Sequence, residues 1–531
     1  MASGRRGSGV VPAGLLTAVA AAAAGVLVAV SEGRGLALVL GLVVLLGAAR
    51  LDPKKLAVLG VIAVLLARTV EIATDVAATA YIDEIVIAYV TVVLVARRLL
   101  AHHHLRWPAG SWMFAGFVAF GAMSSVASAV PFGIAAAGGI LVVKGVLLYF
   151  ALAQVDWTRE DIPWLARTAA WAVGVTLLCA LVNLLLPGAW TAVFANTGYA
   201  QYRSVLPSLI GPFTHPLQFG NFMAMAAIAC AAPLLYWAQT RTQAKGALWL
   251  FLASALAVVL SFRRTAIVGM LAGLSYLALR RRHASLLITA LLVLPLAGIV
   301  LYPVLQEVAV ATYENYIVLG EETARTRLTV DSVTLAVQHF PFGVGFGRFG
   351  SSIAADEYSP EYARLGYDTV RGLGGPSNPN NHGRWLTDTQ WPAIVGEAGI
   401  VGAAFFTAGL ARIFMTFRKA GRGTHLPLAL LGLTGMGWTL NVLIGSVAFP
   451  VFVTAPTSPL LFGLAAIAYV ILTGSPSTPA AVDGSPPAAG RPGAALAGVA
   501  GPPATAGARR RGTVPGGVPD QNGDREQQHP G

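Results

Sequence analysis

Charged residues are scarce in this chain, and that scarcity is the strongest constraint on what kind of protein it is. Asp, Glu, Lys and Arg make up 11% of the 531 residues, 56% are hydrophobic, and the mean hydropathy is +0.67. A soluble chain of this length does not need so many apolar residues to fill its cores. The composition therefore excludes an ordinary soluble protein and predicts an integral membrane protein.

Cysteine is almost absent as well. The two cysteines, Cys179 and Cys230, both fall within apolar runs, so we expect them to fill space between helices. They carry no information about the redox compartment. A fold held by disulfides is therefore not indicated.

Apolar runs are what the chain has in abundance. A helix needs roughly 20 residues to cross the hydrocarbon core, and by that measure there are about fourteen candidate spans. Backbone amides cannot stay unpaired in lipid, and the runs are too long and too uniformly apolar for barrel strands. The predicted fold is therefore an all-α polytopic membrane protein. The predicted spans centre near Ala22, Leu42, Ile62, Thr91, Val118, Leu141, Thr176, Ala227, Ala255, Leu271, Leu291, Ala403, Gly435 and Leu464.

The spans divide the chain into four parts. Residues 1–303 hold the first eleven predicted helices, residues 304–391 form one large loop, and residues 392–472 hold the last three helices. Residues 473–531 are rich in Pro, Gly, Ala and Ser, which predicts a disordered tail.

Basic residues predict the orientation, because Lys and Arg resist translocation and collect on the cytoplasmic side. With the N-terminus inside, four of the five lysines fall in cytoplasmic connections, and the fifth, Lys144, lies within a span. The sequence predicts a protein of the cell (cytoplasmic) membrane with both termini in the cytoplasm and the large loop external. The net charge of +12 then reflects topology, so nucleic-acid binding is a poor explanation for it.

The large loop has its own pattern. It carries six arginines, ten acidic residues and no lysine. Apolar residues recur at helical spacing from Thr323 to Phe340, which predicts a helix that ends before Pro341. The string GFGRFG within Pro341 to Gly350 matches the dinucleotide fingerprint, but no buried strand precedes it, so we expect a close-packed glycine turn instead. From Ser351 to Asn381 the loop is polar, which predicts a mobile stretch.

Four segments, in this order, resemble the O-antigen ligase and Wzy-type polysaccharide polymerase superfamily. They are RSVLPSLIGPFTHPLQFGNF before one span, SFRRTA at the end of another, TRLTVDSVTLAVQHFPFGVGFGRF in the large loop, and GEAGIVG in the next helix. The resemblance covers roughly Arg203 to Phe414. Each motif alone is weak, but their order, spacing and topology together are fairly specific.

The resemblance implies a membrane glycosyltransferase, either a polymerase or a ligase, for cell-surface or exopolysaccharide biosynthesis. Such enzymes take a glycan from a polyprenyl diphosphate carrier on the outer face of the membrane and join it to an acceptor glycan or glycolipid. They use no nucleotide or metal cofactor, and other polysaccharide assembly or export proteins are possible partners.

The resemblance also implies roles for individual arginines. Arg264 and Arg327 would bind the diphosphate and stabilise the leaving group, with Arg203 and Arg263 as further substrate-binding groups. The chemistry favours arginine independently, because a departing diphosphate gains negative charge on oxygens that a guanidinium binds in bidentate fashion.

The acceptor hydroxyl also needs a base within hydrogen-bond reach. Many ligases place a histidine nine residues before the glutamate of the last motif, and here that position, counted back from Glu397, is Asp388. His382 is the rival candidate for the base.

Simpler roles compete with each of these. Arg263 and Arg264 could only anchor a helix at the lipid headgroups, and Arg327 could only pair with an acidic neighbour such as Asp331. Asp388 could be a helix N-cap, and Glu397 a structural latch.

The sequence is also compatible with two other classes of protein. A transporter or flippase for lipid-linked or small polar substrates would also have many helices, but it would place ionisable groups at mid-membrane and show repeated halves. A non-catalytic scaffold of an export complex would tolerate substitution of Arg264, Arg327 and Asp388.

Overall fold

The computed structural model describes residues 47–74, 81–203, 206–240, 245–281, 306, 324–376, 378, 383 and 385–474. Over these ranges helices, joined by turns and loops, make up most of the chain, and two short antiparallel strands pair with each other, β1 (Tyr202–Arg203) and β2 (Leu206–Pro207). The helices are α1 (Pro53–Thr74), α2 (Ile82–His102), α3 (Ser111–Ala127), α4 (Phe132–Leu152), α5 (Ile162–Leu185), α6 (Pro187–Phe194), α7 (Pro216–Thr240), α8 (Lys245–Leu260), α9 (Arg264–Arg281), α10 (Ala324–Gln338), α11 (Ser352–Asp356), α12 (Pro360–Arg364), α13 (Trp391–Ala420), α14 (Leu426–Gly445) and α15 (Thr457–Gly474).

Eight of these helices are long and apolar enough to cross a membrane, namely α1, α2, α4, α5, α7, α13, α14 and α15. Two further apolar helices, α3 and α8, are shorter. The apolar helices make the chain a membrane protein, because surfaces this uniformly apolar are stable only against lipid or other helices.

The prediction of about fourteen spans is confirmed only in part. Val118 and Ala255 lie in the two shorter helices, and Leu271 lies in α9, which is not among the eight because its 18 residues include three arginines. The centres near Ala22, Leu42 and Leu291 lie outside the described residues, as does the predicted tail from residue 475 onward.

Close contact between α3 and α13 holds the middle of the bundle together. The ring of Phe114 on α3 lies over Gly409 of α13, where an added Cβ would come within 2.7 Å of it. In the opposite sense, Phe405 of α13 lies over Gly116 of α3, at 2.8 Å from an added Cβ. Because apolar burial does not drive helices together in lipid, this interlocking of rings and glycines is what stabilises the pair.

Ion pairs tie several connections together at one end of the bundle. Lys54 pairs with Asp161 at 2.8 Å, and Asp156 pairs with both Arg98 (2.8 Å) and Arg106 (2.6 Å). The connections that flank α1, α2 and α4 therefore meet at this end, which we call the basic end.

The other end of the bundle is where α9 and α13 begin and α14 ends. The indole Nε1 of Trp391, the first residue of α13, donates to Ser446 Oγ, just after α14, at 2.9 Å. Gly269, near the start of α9, lies directly against Asn441, near the end of α14. We call this the loop end, because the described part of the large loop also begins and ends here.

The large loop is a folded unit over its described part. Its core lies between α10 and the residues that lead to α13, and Tyr362 and Tyr367 in it are fully buried. The expectation of a mobile polar stretch from Ser351 to Asn381 does not hold for the described part of that stretch, which contains α11 and α12. Its tyrosines and leucines are too irregularly spaced to predict a core, and they form one only by packing against α10. The core residues are Ala324, Leu328, Leu335, Val344, Phe349, Ala354, Tyr362, Tyr367, Leu373 and Leu386.

Candidate functional site

The glycine turn predicted in the large loop is inserted into the loop end of the bundle. We call Pro341 to Gly350 the glycine loop. The backbone N–H of Gly343 donates to Ser124 Oγ of α3 at 2.9 Å, and the N–H of Phe346 donates to Ser125 Oγ at 2.9 Å. Gly345 between them has a φ of 91° and lies so close to α3 that a Cβ would sit 2.7 Å from the backbone of Ser125. Only glycine allows both this conformation and this approach.

The glycine loop also contacts α13 where that helix is interrupted. Gly399 has a φ of 74° and a ψ of 177°, so it breaks the run of helical residues. The N–H of Val344 donates to the carbonyl of Gly396 at 2.9 Å, and the N–H of Gly345 donates to the carbonyl of Glu397 at 3.0 Å. The break exposes these carbonyls, and the loop supplies the donors that they would otherwise lack.

Glu397 fastens the loop from the other side. Its Oε1 accepts a hydrogen bond from Ser351 Oγ at 2.6 Å and another from the backbone N–H of Phe349 at 3.2 Å, and only 1% of the residue is exposed. These contacts are those expected of a structural latch, the simpler role considered for Glu397. They fix the position of α10, which precedes the glycine loop, against α13.

The proposed base, Asp388, lies three residues before the start of α13. Its Oδ2 accepts a hydrogen bond at 2.7 Å from Nη2 of Arg325 on α10, and the two side chains are 27% and 34% exposed. Burial raises the pKa of Asp388, and the positive charge of Arg325 opposes that rise. Asp388 is not the N-cap of α13, since that position is Gln390.

Arg327 has different partners from Arg325. Its Nε donates to Asp331 Oδ2 at 2.8 Å, one turn further along α10, and its Nη2 donates to the carbonyl of Leu365 at 3.3 Å. Residues two apart on a helix point in different directions, so Arg325 and Arg327 cannot face the same group. The pairing with Asp331 is the simpler alternative considered for Arg327, and it leaves 47% of the arginine side chain exposed.

The other three arginines come together at the loop end. Arg264 is the first residue of α9, Arg263 precedes it, and Arg203 lies in β1. Burial and the neighbouring charges of Arg203 and Arg264 lower the pKa of Arg263 to about 10. We call these three residues the arginine cluster.

Two neutral side chains and a helix N-terminus lie beside Arg263. Nη2 of Arg263 donates to Oε1 of Gln201 at 2.7 Å, which is a neutral partner. Burial and the charge of Arg263 lower the pKa of His215 to about 4, so this imidazole is neutral near pH 7 and adds no positive charge. The cluster also lies at the N-terminus of α9, where the helix dipole stabilises negative charge.

The arginine cluster and Asp388 lie at the same end of the bundle, because the starts of α9 and α13 are both held against the end of α14. The structure therefore brings Arg203, Arg263 and Arg264 together and places Asp388 with Arg325. His382 lies outside the described residues.

Three residues beside the arginines and Asp388 could not be identified from the sequence, namely Arg325, Gln201 and His215. The motif resemblance falls on Arg327 and does not indicate Arg325, although the two arginines are only two residues apart. Gln201 and His215 flank or belong to the first motif, and their polar character there was the only available signal.

Lys144 and its acidic partners form a charged group within the membrane-spanning helices. Nζ of Lys144 on α4 pairs with Asp83 at 2.6 Å and with Glu84 at 3.0 Å, both in the first turn of α2. The charge that the sequence places within a span at Lys144 therefore has two carboxylate partners.

Across the described ranges there is no cluster of three or more His, Cys, Asp or Glu side chains of the kind that holds a metal ion. Compared with known proteins, the chain matches no family model and no curated protein. The structure itself shows a helical membrane protein.

Proposed function

We propose that this protein is a membrane glycosyltransferase of the polymerase or ligase type, which transfers a glycan from a polyprenyl diphosphate carrier to an acceptor hydroxyl. The observation that carries the proposal is the arginine cluster. Burial and repulsion from the nearby charges of Arg203 and Arg264 disfavour the charged form of Arg263. A diphosphate would relieve that repulsion and accept bidentate hydrogen bonds from the guanidinium groups.

In the proposed reaction the acceptor oxygen attacks the anomeric carbon of the carrier-linked sugar. The bond between that carbon and the diphosphate oxygen breaks, and the diphosphate leaves with the bonding electrons. Arg264, with Arg203 and Arg263, stabilises the charge that develops on the leaving group. Asp388 takes the proton of the acceptor hydroxyl, and its pairing with Arg325 favours the ionised form that a base needs.

Arg327 stays in the proposal as a further diphosphate-binding group. Its Nε and Nη2 are engaged by Asp331 and Leu365, while its Nη1 makes no hydrogen bond within the part of the chain that the structure describes. His382 stays the alternative base. The proposal also keeps the loop end on the outer face of the cytoplasmic membrane, where the lipid-linked glycan and its acceptor would meet.

The test is a transfer reaction with purified protein and a glycan-loaded polyprenyl diphosphate extract. Released polyprenyl diphosphate and the length of the products are measured for the wild type, Arg264→Gln and Arg364→Gln. Arg364 is the matched control, because it is a loop arginine that pairs with Glu361 on its own helix. We expect Arg264→Gln to lose activity about 100-fold or more, and Arg364→Gln to stay near the wild type.

The products separate the two enzyme types. A ladder of lengthening products indicates a polymerase, and a single shifted acceptor indicates a ligase. The proposal fails if the wild type releases no diphosphate from an extract shown to contain the native substrate, or if Arg264→Gln is as active as the control.

A transporter or flippase is the second candidate, and two observations favour it. α13 is broken at Gly399, and Lys144 forms ion pairs within the spans. Broken helices and charges inside the membrane are typical of transport sites. In proteoliposomes a flippase would move the lipid-linked glycan across the bilayer without releasing diphosphate, which is the opposite of the result expected for a transferase.

A further inference from the structure

One side of α10 is both apolar and exposed. Val330, Val333 and Val337 recur along it at helical spacing, and Phe340 continues the stripe just past the end of the helix. Each of the four residues is between 49% and 65% exposed. We call these four residues the valine face. Large apolar side chains that share one side of a helix are normally covered, so the valine face needs a partner.

The polar groups of α10 are arranged to leave the valine face uncharged. After Arg327 the helix contains one charged residue, Asp331, and its carboxylate is buried and paired with Arg327. The hydroxyl groups of Thr329 and Thr334 each donate to a carbonyl one turn back along the helix, at 2.8 Å and 3.1 Å. The valine face and these threonines therefore have no polar proton that must be solvated by water.

The glycine loop, which follows α10, reaches into the bundle of membrane helices. The ring of Phe346 lies 5.8 Å from that of Phe117 on α3 and covers Gly121 so closely that no Cβ would fit there. Phe346 also belongs to the same apolar core as the spanning helices. Phe117 precedes the end of α3 at Ala127 by almost three turns, which is about 15 Å.

The backbone of the glycine loop is bonded as hydrocarbon requires. The four consecutive N–H groups from Gly343 to Phe346 all donate to α3 or α13. Irregular backbone is stable at membrane depth only where protein supplies such partners, whereas a loop in water does not need them. The chain then returns to the loop core, where the N–H of Gly350 donates to the hydroxyl of Tyr362 at 2.8 Å.

The length of α10 matches one leaflet of a bilayer. Arg325 at its start pairs with Asp388, just before α13 begins, whereas the residues after α10 contact Gly396 and Glu397 within α13. α10 thus runs beside the first turns of a spanning helix. From its first valine to its phenylalanine the valine face covers about 15 Å, which is about half of the hydrocarbon thickness.

We propose that α10 and the glycine loop form a re-entrant segment, and that the valine face lies against the acyl chains of the leaflet at the loop end. Arg325 and Arg327, in the first turn of α10, then lie at the depth of the lipid headgroups. A transferase and a transporter could both carry such a segment, so it is independent of the proposed function. A second copy of the chain, or another of its segments, would cover the valine face with protein instead.

A fluorophore on a single cysteine tests which of these covers the valine face. In the full-length protein Cys179 and Cys230 are replaced by Ala, and Val333→Cys or Val337→Cys is labelled with nitrobenzoxadiazole in phosphatidylcholine nanodiscs. Quenching is measured with iodide in the water and with phosphatidylcholine that carries a nitroxide on its acyl chain. The matched control is Ala363→Cys, because Ala363 is exposed on α12 in the same folded loop. All three labelled side chains are exposed, so the substitutions remove no core packing.

We expect the labels at Val333 and Val337 to be quenched by the nitroxide lipid, and about tenfold less by iodide than the control, because hydrocarbon excludes the ion. The label at Ala363 should be quenched by iodide and not by the lipid. Iodide quenching at Val337 equal to that of the control would mean that the valine face lies in water, and the proposal would be overturned. Protection of Val337 from both quenchers would mean that protein covers the valine face, which overturns the proposal as well.

Discussion

Removal of the Glu397 carboxylate should release the glycine loop from the bundle. Ser351 Oγ and the N–H of Phe349 both donate to Glu397 Oε1, at 2.6 Å and 3.2 Å, in a place where only 1% of the glutamate is exposed. In Glu397→Ala both donors lose their acceptor and cannot reach water without moving the loop. In Glu397→Gln one oxygen remains to accept from them, so this variant is the matched control.

The magnitude follows from the number of orphaned donors. A buried donor without a partner costs about 1–3 kcal/mol, so two of them would weaken docking of the loop by about 2–6 kcal/mol. Removing a carboxyl group from an apolar site returns part of its desolvation cost, which places the expected loss near the lower end, about 2–3 kcal/mol. Glu397→Gln should cost about 1 kcal/mol or less.

Native-state hydrogen exchange measures this directly, because the N–H groups of Val344 and Gly345 bond to α13 only while the loop is docked. Peptides that cover the glycine loop are compared with peptides from α14 in the same detergent. At 1.4 kcal/mol per factor of ten, we expect loop exchange to be about 30- to 150-fold faster in Glu397→Ala and at most about fivefold faster in Glu397→Gln.

Two results would refute this reasoning. One is loop exchange in Glu397→Ala within about threefold of the wild type, which would mean that the carboxylate does not hold the loop. The other is equal acceleration in α14 and in the loop, which would mean that the whole bundle is destabilised and the latch is not local.

Three further predictions follow from individual contacts. Arg325→Gln should shift the acidic limb of the pH profile of the transfer rate to higher pH, because Asp388 loses the positive charge that lowers its pKa. Arg325→Lys keeps that charge and should not shift the limb. An unchanged limb in both variants would remove Asp388 as the base. Gly399→Ala should lower the yield of folded protein more than Gly366→Ala. Gly366 (φ 71°, ψ 31°) has the left-handed helical conformation, which costs an alanine about 1–2 kcal/mol, whereas Gly399 (φ 74°, ψ 177°) has a conformation essentially restricted to glycine and has backbone of the glycine loop against it. Equal yields by fluorescence-detected size exclusion would contradict this. Lys144→Met should lower the thermal unfolding midpoint by the equivalent of about 2 kcal/mol or more, because Asp83 and Glu84 of α2 lose their partner. Replacing both carboxylates by the corresponding amides in the same variant should restore the midpoint.

The membrane helices could be predicted from sequence because their formation is dictated locally. An apolar run of the right length has to pair its own amides in lipid, and only a helix does so. The runs around Leu141 and Gly435 therefore became α4 and α14 whatever their neighbours. The close-packed turn at PFGVGFGRFG was predictable for a similar reason, since glycines at that density permit conformations and approaches that other residues do not.

The partners within the site could not be predicted in this way. The bond between Arg263 and Gln201, the pairing of Arg325 with Asp388 and the latch of Glu397 to Ser351 each join residues that are far apart in the sequence. No local pattern indicates which of two neighbouring arginines turns toward a distant carboxylate, because a rotation of the helix decides it.

The sequence by itself determined that this chain lies in a membrane as apolar helices, with arginines at the ends of some of them and a glycine-rich loop late in the chain. Only the tertiary structure decided that three of those arginines form one cluster, that Arg325 and not Arg327 contacts Asp388, and that Gln201 accepts a hydrogen bond from Arg263. The physical reason is range: hydrogen bonding and hydropathy act on neighbours along the chain, whereas helix packing sets which distant side chains meet.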